Sequence, residues 1–437
     1  MPAQGLAGPT HRPATARWRL VLSALCLLAL AGCVGVLSPS AFDLSVSGRQ
    51  RAATIAHRLA LPAGSEPAPP ARSAPAAPRP AGGQPRPGLP ACRGPDVAGE
   101  VSTLRDARVW RSTKPLPPQS VTIVTQLSLN RLAMLRAQCG AWRDRISAAV
   151  YLPSVAGFGV FNAENSTING TSPAQVASLL GAWHAAAEAD AGGCALDLVL
   201  AAEDFATWHE FDPTLYPVNA LRNRALQLAR TQVVLMLDAD FLPAASLPSS
   251  YQGLPAAWEA LTAPLLGPQR VVLVLPAFET RAKWRDGQAA ALRAALRGKA
   301  HVAGRFLDGA LPGFHLASYR HGHGATRYKQ WVAATRPYPI RFASGFEPYI
   351  LIARALVPWF DERFRGHESD KVMHRRHLNA TGVAFQVHPD AYVVHMHHKR
   401  SPTQRNRALR KRMLALGKEV AAQVRAGTYV PVTTFLC

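Results

Sequence analysis

Asp238 and Asp240 stand two residues apart at the end of an unbroken apolar run, Val233-Val-Leu-Met-Leu237. On extended backbone, side chains at i and i+2 project to the same side, so both carboxylates can face one hard divalent cation. An apolar run of this kind suits a strand buried on both faces of a parallel sheet. The C-terminal end of such a strand is where open α/β sheets hold their ligands. A divalent cation placed there can grip a diphosphate and neutralise a leaving nucleoside diphosphate. Asp-x-Asp alone is common in surface turns and caps, so the weight rests on the strand before it and on Phe241-Leu242-Pro243 after it.

Immediately upstream lies Tyr216-Pro217-Val218-Asn219-Ala220-Leu221-Arg222-Asn223-Arg224. Asn219 is placed as the N-cap of a helix, and Arg222 and Arg224 are long enough to reach a diphosphate or a ribose. Arg222 and Asn223, with Asp238, are the candidate donor-binding residues. The plainer alternative is a solvated helix face.

The elements that must position these groups alternate. Val121–Gln126 reads as a strand, Asn130–Trp142 as a helix and Ile146–Leu152 as a strand. Residues 153–174 read as a loop, Pro173–Ala189 as a helix and Leu196–Ala201 as a strand. Ala220–Ala229 is helical and leads into the Val233 strand; Arg270–Leu275 and Tyr349–Ala353 are further strands, and Lys399–Val424 is a basic closing helix. Strands alternating with helices predict βαβ units and a parallel sheet, an α/β fold beginning near Val101.

The chain has 437 residues and a formal charge of +22, from 49 Lys+Arg against 27 Asp+Glu. That balance favours anionic partners such as a membrane surface or phosphorylated and acidic sugars. No zinc-finger spacing, basic zipper or aromatic RNA-binding motif accompanies it, so no nucleic-acid partner is expected. Leu20 to Leu37 runs without a charge behind His11, Arg12, Arg17 and Arg19. It reads as an uncleaved signal-anchor with a lumenal remainder, a cleaved signal peptide being the competitor. The expected organisation is a cytoplasmic tail over 1–19, an anchor over 20–37, a Pro/Ala-rich stem over 38–100 and a catalytic domain over 101–437. Asn165-Ser-Thr, Asn169-Gly-Thr and Asn379-Ala-Thr are glycosylation acceptors by pattern. Cys92, Cys139, Cys194 and Cys437 would be lumenal, with their pairing open.

Several blocks in one order carry a resemblance. Tyr216-Pro-Val-Asn with Leu221-Arg-Asn, then Leu237-Asp-Ala-Asp-Phe-Leu-Pro, Leu275-Pro-Ala-Phe-Glu-Thr280 and Val121-Thr-Ile-Val-Thr-Gln-Leu-Ser resemble glycosyltransferase family 49. That family holds the LARGE-type and β-1,4-glucuronyltransferase enzymes. His323, Trp331, Thr335, Pro337 and Tyr338, then Phe346-Glu-Pro-Tyr349, Phe360-Asp-Glu-Arg-Phe364 and Tyr392-Val-Val-His-Met396, extend the likeness over about residues 119–400. It implies the GT-A fold, a Rossmann-like mixed sheet flanked by helices. It also implies an inverting, Mn²⁺-dependent transfer from a UDP-sugar, best taken as glucuronic acid with xylose, N-acetylglucosamine and galactose open, to a glycan or glycoprotein acceptor; the anchor reading sets the expected location at the Golgi membrane, single-pass type II.

By that resemblance His395, late in the chain, joins Asp238 and Asp240 on the metal; an imidazole with two carboxylates suits manganese better than calcium. His397 and His398 are weaker candidates, and His397 stands where the family is usually not histidine. An inverting displacement needs a base for the acceptor hydroxyl, ranked Asp370, then Glu368, then Glu347. LARGE-like enzymes carry an amide at the Asp370 place, a departure in this chain. Asp361 reads as a turn or cap. The rival from another class is a catalytically inactive, lectin-like lumenal protein, which loss of either Asp or of the histidine would favour.

Overall fold

The computed structural model describes residues 103–160, 172–207, 209–399 and 406–434. The expected tail, anchor and stem, Cys92, Cys437 and the acceptor asparagines Asn165 and Asn169 lie outside them. No helix of the described residues is long and apolar enough to cross a membrane.

The large sheet runs in the order β1 (Arg105–Trp110), β5 (Ala195–Phe205), β3 (Arg145–Val155), β2 (Val121–Ser128), β6 (Val233–Met236), β11 (Tyr349–Ala353), β8 (Val271–Leu275), β12 (Ala384–Val387) and β10 (Tyr338–Ile340); β4 (Gly159–Val160) pairs with β3 off this path. The expected parallel sheet is interrupted and not confined to one half, since β8 and β12 also pair in parallel beyond β11. β5, β3, β2 and β6 are mutually parallel, but β11 runs antiparallel to both β6 and β8, and β1 closes the other edge antiparallel to β5. The reversal has a consequence for the site. It sets the start of β11 beside the end of β6, with Ile350 opposite Met236, so Tyr349 reaches the carboxylate that follows the strand.

Alternation along the strands divides the core between the two faces of the sheet. Val234, Met236, Ile350 and Ile352 pack on one face; Val233, Leu235, Leu237, Tyr349 and Leu351 pack on the other. With both faces covered, every position in β6 is buried, and full burial of each Val or Leu stabilises by roughly 2 kcal/mol. The Pro173–Ala189 helix matches the sequence reading to the residue. Ser172 and Gln175 form a reciprocal capping box and Pro173 fills the first position, so its start is written locally. A disulfide joins Cys139 to Cys194, tying the Leu132–Ala141 helix to the entry of β5.

A second sheet lies beside the end of the Asp-x-Asp strand: β7 (Phe241–Pro243), β13 (Val393–His395) and β9 (Ala277–Glu279). In it His395 lies opposite Phe241 on one side and Glu279 on the other. The chain immediately after Asp240 is thereby pinned to the histidine strand, and the Met396 amide donates to the Asp240 carbonyl at 2.8 Å.

Candidate active site

Asp238 and Asp240 leave the same strand end but enter different environments. The Asp238 carboxylate is held by protein cations: Lys371 Nζ donates to Oδ2 at 2.7 Å, Arg222 Nη2 to Oδ1 at 3.1 Å, and the Tyr349 hydroxyl to Oδ2 at 3.1 Å. Burial works against its ionised form, but Lys371 and Arg222 more than reverse that and hold its pKa at about 2. Asp240 instead faces imidazoles. His398 Nε2 lies 2.7 Å from Oδ2 and His395 Nε2 3.6 Å from it.

The trio that the structure brings together is not the predicted Asp238, Asp240 and His395. Asp240, His395 and His398 are the described residues whose ligand atoms all lie within 4.8 Å of one another. Asp238 lies outside the group and is engaged instead by Lys371 and Arg222. His398, ranked low from sequence, is inside it because the backbone leaves β13 after His395 and brings the third residue on back toward Asp240. The donor set fits a divalent ion. Asp240 Oδ1 is buried with no hydrogen-bond partner, and one carboxylate with two imidazoles suits manganese and its neighbours. Aromatic rings form the floor, with Phe241 5.1 Å and Phe314 5.0 Å from the His395 ring.

The Val218–Leu228 helix supplies the cation side. Its N-cap is Pro217, not Asn219. Asn219 sits inside the first turn, donates to the Asp361 carbonyl at 2.8 Å and accepts from Arg222 at 2.9 Å, so it aims Arg222 instead of capping the helix. Arg222 bridges two carboxylates, reaching Asp370 Oδ2 at 2.5 Å as well as Asp238. The expectation that Asn223 contacts a donor is corrected. It is fully buried, donates to the Phe360 carbonyl and to Glu362, and accepts from the Phe360 amide. Its polar atoms stitch the helix to the 360–362 segment. Arg224 is likewise turned away, onto Asp106 and the Leu104 carbonyl. A pocket opens beside this network, lined by Val124, Thr125, Gln126, Arg222, Met236, Leu237, Asp238, Tyr349, Phe360, Lys371 and Arg375.

The carboxylates ranked as bases separate by environment. Asp370 opens the Asp370–Ala380 helix. Burial opposes its charge, but Arg222 and Lys371 outweigh that and hold its pKa below the ordinary value. Glu368 is engaged by Arg410 at 2.7 Å. Glu368 and Ser369 both take positive φ, 98° and 63°. This strained turn, costing of order 1 kcal/mol per residue, aims Asp370 and Lys371 into the site. Glu347 behaves differently, since burial pushes its pKa up to about 7. Asp361 serves a turn as expected, accepting from the Arg363 amide at 3.1 Å and pairing with its guanidinium.

Lys371 and Tyr349 were not among the candidates read from the sequence. Tyr349 was legible as the first residue of a strand and the last of the Phe346-Glu-Pro-Tyr349 block, with no role at the site attached. Lys371, 133 residues from Asp238, had no local signal beyond its place after Asp370. His323 is buried, its Nε2 has no hydrogen-bond partner, and burial lowers its pKa to about 3.

The arrangement defines an α/β protein with a carboxylate–imidazole cluster able to hold a metal ion and an adjoining cation-rich pocket. The family model described as "Glycosyl-transferase for dystroglycan" matches residues 187–426. Xylosyl- and glucuronyltransferase LARGE2 of Rattus norvegicus is 33% identical over 296 residues, covering 66% of this chain and 36% of that protein. LARGE1 of Gallus gallus is 32% identical over 281 residues, covering 64% and 31%. The chain belongs to this family of glycosyltransferases, and it spans about a third of the length of the curated relatives it matches. Among solved structures, S. aureus TarS 1-349 in complex with UDP aligns with a TM-score of 0.29 and 11% identity over 63% of this chain and 60% of that one. A likeness at that level is too slight to assign a fold.

Proposed function

We propose that this chain is a metal-dependent, inverting glycosyltransferase of GT-A type that moves a sugar from a UDP-sugar to a glycan acceptor. The observation that carries the reading is the Asp240–His395–His398 cluster with its orphaned buried Oδ1, set beside the Arg222–Asp238–Lys371 network. Asp240, His395 and His398 would hold the ion, Mn²⁺ by preference, which when bound neutralises charge on the diphosphate. Arg222 and Lys371 are fixed cations at the pocket wall, held in place by Asp370, Asn219 and Asp238 so that little reorganises when an anionic donor arrives. Asp238 orients both and keeps their charge inside a partly closed site.

Glu347 is the base favoured over Asp370 by its protonation and by the ion pair that engages Asp370. A proton acceptor works best with a pKa near the operating pH, and Glu347 stands at about 7 whereas Asp370 is lowered and tied to Arg222. In a single displacement the acceptor hydroxyl gives its proton to Glu347 as its oxygen bonds to C1 of the sugar and the C1–oxygen bond to UDP breaks.

The names of the relatives support glucuronic acid or xylose as the donor sugar, and the basic balance of the chain favours the acidic one. The residues ahead of Val101 are assigned as tail, anchor and stem of a type II Golgi membrane protein, a reading supported by the charge-free run behind basic residues. Asn379 is exposed at a helix end, as a glycosylated asparagine must be.

The test is UDP release by the purified chain with Mn²⁺ across a panel of UDP-sugars, comparing wild type with Asp240→Asn. Metal-dependent turnover of one donor, lost in the variant, establishes the reaction and names the sugar. A wild-type chain that binds no UDP by calorimetry sinks the donor site and promotes the inactive lumenal binding protein.

A further inference from the structure

We propose that Tyr319 is an aromatic platform on which a saccharide ring of the acceptor stacks, next to Glu347. The inference deepens the transferase reading and rests on Glu347 marking the acceptor side. Three aromatic side chains of Phe, Tyr or Trp type count as exposed among the described residues: Phe158, Trp284 and, less so, Tyr319. Phe158 lies in the turn between β3 and β4, and the Trp284 ring packs edge-on against His397 at 5.0 Å. Tyr319 stands by the base, with Glu347 and Glu368 as the charged groups it senses.

The surroundings of the ring are built for it. A Cβ on Gly322 would meet the Tyr319 ring at 2.9 Å and Glu347 Oε1 at 3.2 Å. A Cβ on Gly345, which takes φ +81°, would meet the Tyr319 hydroxyl at 2.8 Å. Both positions are thus small because the tyrosine occupies the space. The backbone ties the same pieces together, since the Glu347 amide donates to the Gly322 carbonyl at 3.0 Å and the Gly322 amide to the Tyr319 carbonyl at 3.1 Å. A ring braced from two sides, still 39% exposed and adjoining a carboxylate at about 7, has the properties of a sugar-stacking surface. It offers a rigid apolar face of low conformational-entropy cost, with a proton acceptor beside it for the hydroxyl of the stacked ring.

The experiment is saturation-transfer NMR on the full chain with UDP and Mn²⁺, using methyl β-xyloside and methyl β-glucuronide as probes. Wild type is compared with Tyr319→Phe, Tyr319→Ala and Tyr319→Leu. UDP binding by calorimetry on the same samples reports the fold and the donor site. Transfer to the sugar C–H protons with wild type and Tyr319→Phe, reduced about tenfold or more with Ala and Leu at unchanged UDP binding, is the expected result. Leu keeps the volume without the ring, so the answer does not depend on alanine being tolerated. Equal transfer in the Ala or Leu variants overturns the platform, as does no transfer to either probe with a wild type that binds UDP. Failure of wild type to bind UDP is a failure of the donor reading and is seen separately.

Discussion

Replacing Glu347 by glutamine should inactivate the protein and stabilise it. Burial raises the pKa of this carboxyl from an ordinary 4.5 to about 7. The folded chain therefore keeps a proton that the unfolded chain has lost, and stability falls as the pH climbs from the unfolded value through the folded one. At 1.36 kcal/mol per unit, that gap corresponds to about 3 kcal/mol; partial exposure of the side chain and solvent screening reduce it to about 2 kcal/mol. Glutamine is neutral at every pH and escapes the loss. Urea midpoints of wild type and Glu347→Gln should coincide near pH 4.5 and diverge in favour of the variant by pH 8. UDP release with acceptor present should fall by about 10²- to 10⁴-fold, and the rate of the wild type should rise with pH on a limb near 7. Equal midpoints at pH 8, or retained turnover, would refute the reasoning.

Three further outcomes separate the roles assigned here. Asp240→Asn and His398→Ala should each weaken Mn²⁺-dependent UDP binding by about tenfold or more in calorimetry, and His398→Ala should match His395→Ala; a silent His398→Ala removes that residue from the metal set. Lys371→Met leaves Asp238 with Arg222 as its only cation within the network, so it should lower the unfolding free energy by roughly 2–4 kcal/mol and shift the loss of stability on acidification to higher pH, which a pH series of urea melts reads. Asn223→Ala should cost roughly 2–3 kcal/mol through unmade buried hydrogen bonds; reduced yield with an unchanged UDP affinity in the folded fraction distinguishes this from a donor contact.

Much of this was written locally, and the remainder was not. The Val233 strand and the carboxylates after it were legible because an apolar run and a two-residue spacing survive into the fold unchanged. The Pro173–Ala189 helix was legible because its cap lies in the sequence beside it. The division of labour between Asp238 and Asp240 was not, since it depends on Lys371, Arg222 and His398, which reach the strand end from three other segments. The antiparallel entry of β11 escaped for the same reason, as strand direction is decided by partners and not by the strand's own residues. Asn219 and Asn223 show the limit most plainly. Residue type alone suggests a cap and a ligand contact, while burial turns both into internal fasteners.

The three-stranded sheet that seats the metal centre draws Asp240 and His398 from positions 158 residues apart. A chain emerges N-terminus first at about 5–20 residues per second, so Asp240 waits roughly ten to thirty seconds for its imidazoles. Every strand of the large sheet is already made by then: a product that stops after Pro389 contains β1 through β12 and neither His395 nor His398. Any metal affinity of this cluster would thus arise only once synthesis has passed His398. A prematurely terminated chain would keep its principal scaffold, and retain Asp240 as a buried carboxylate without an imidazole to answer it.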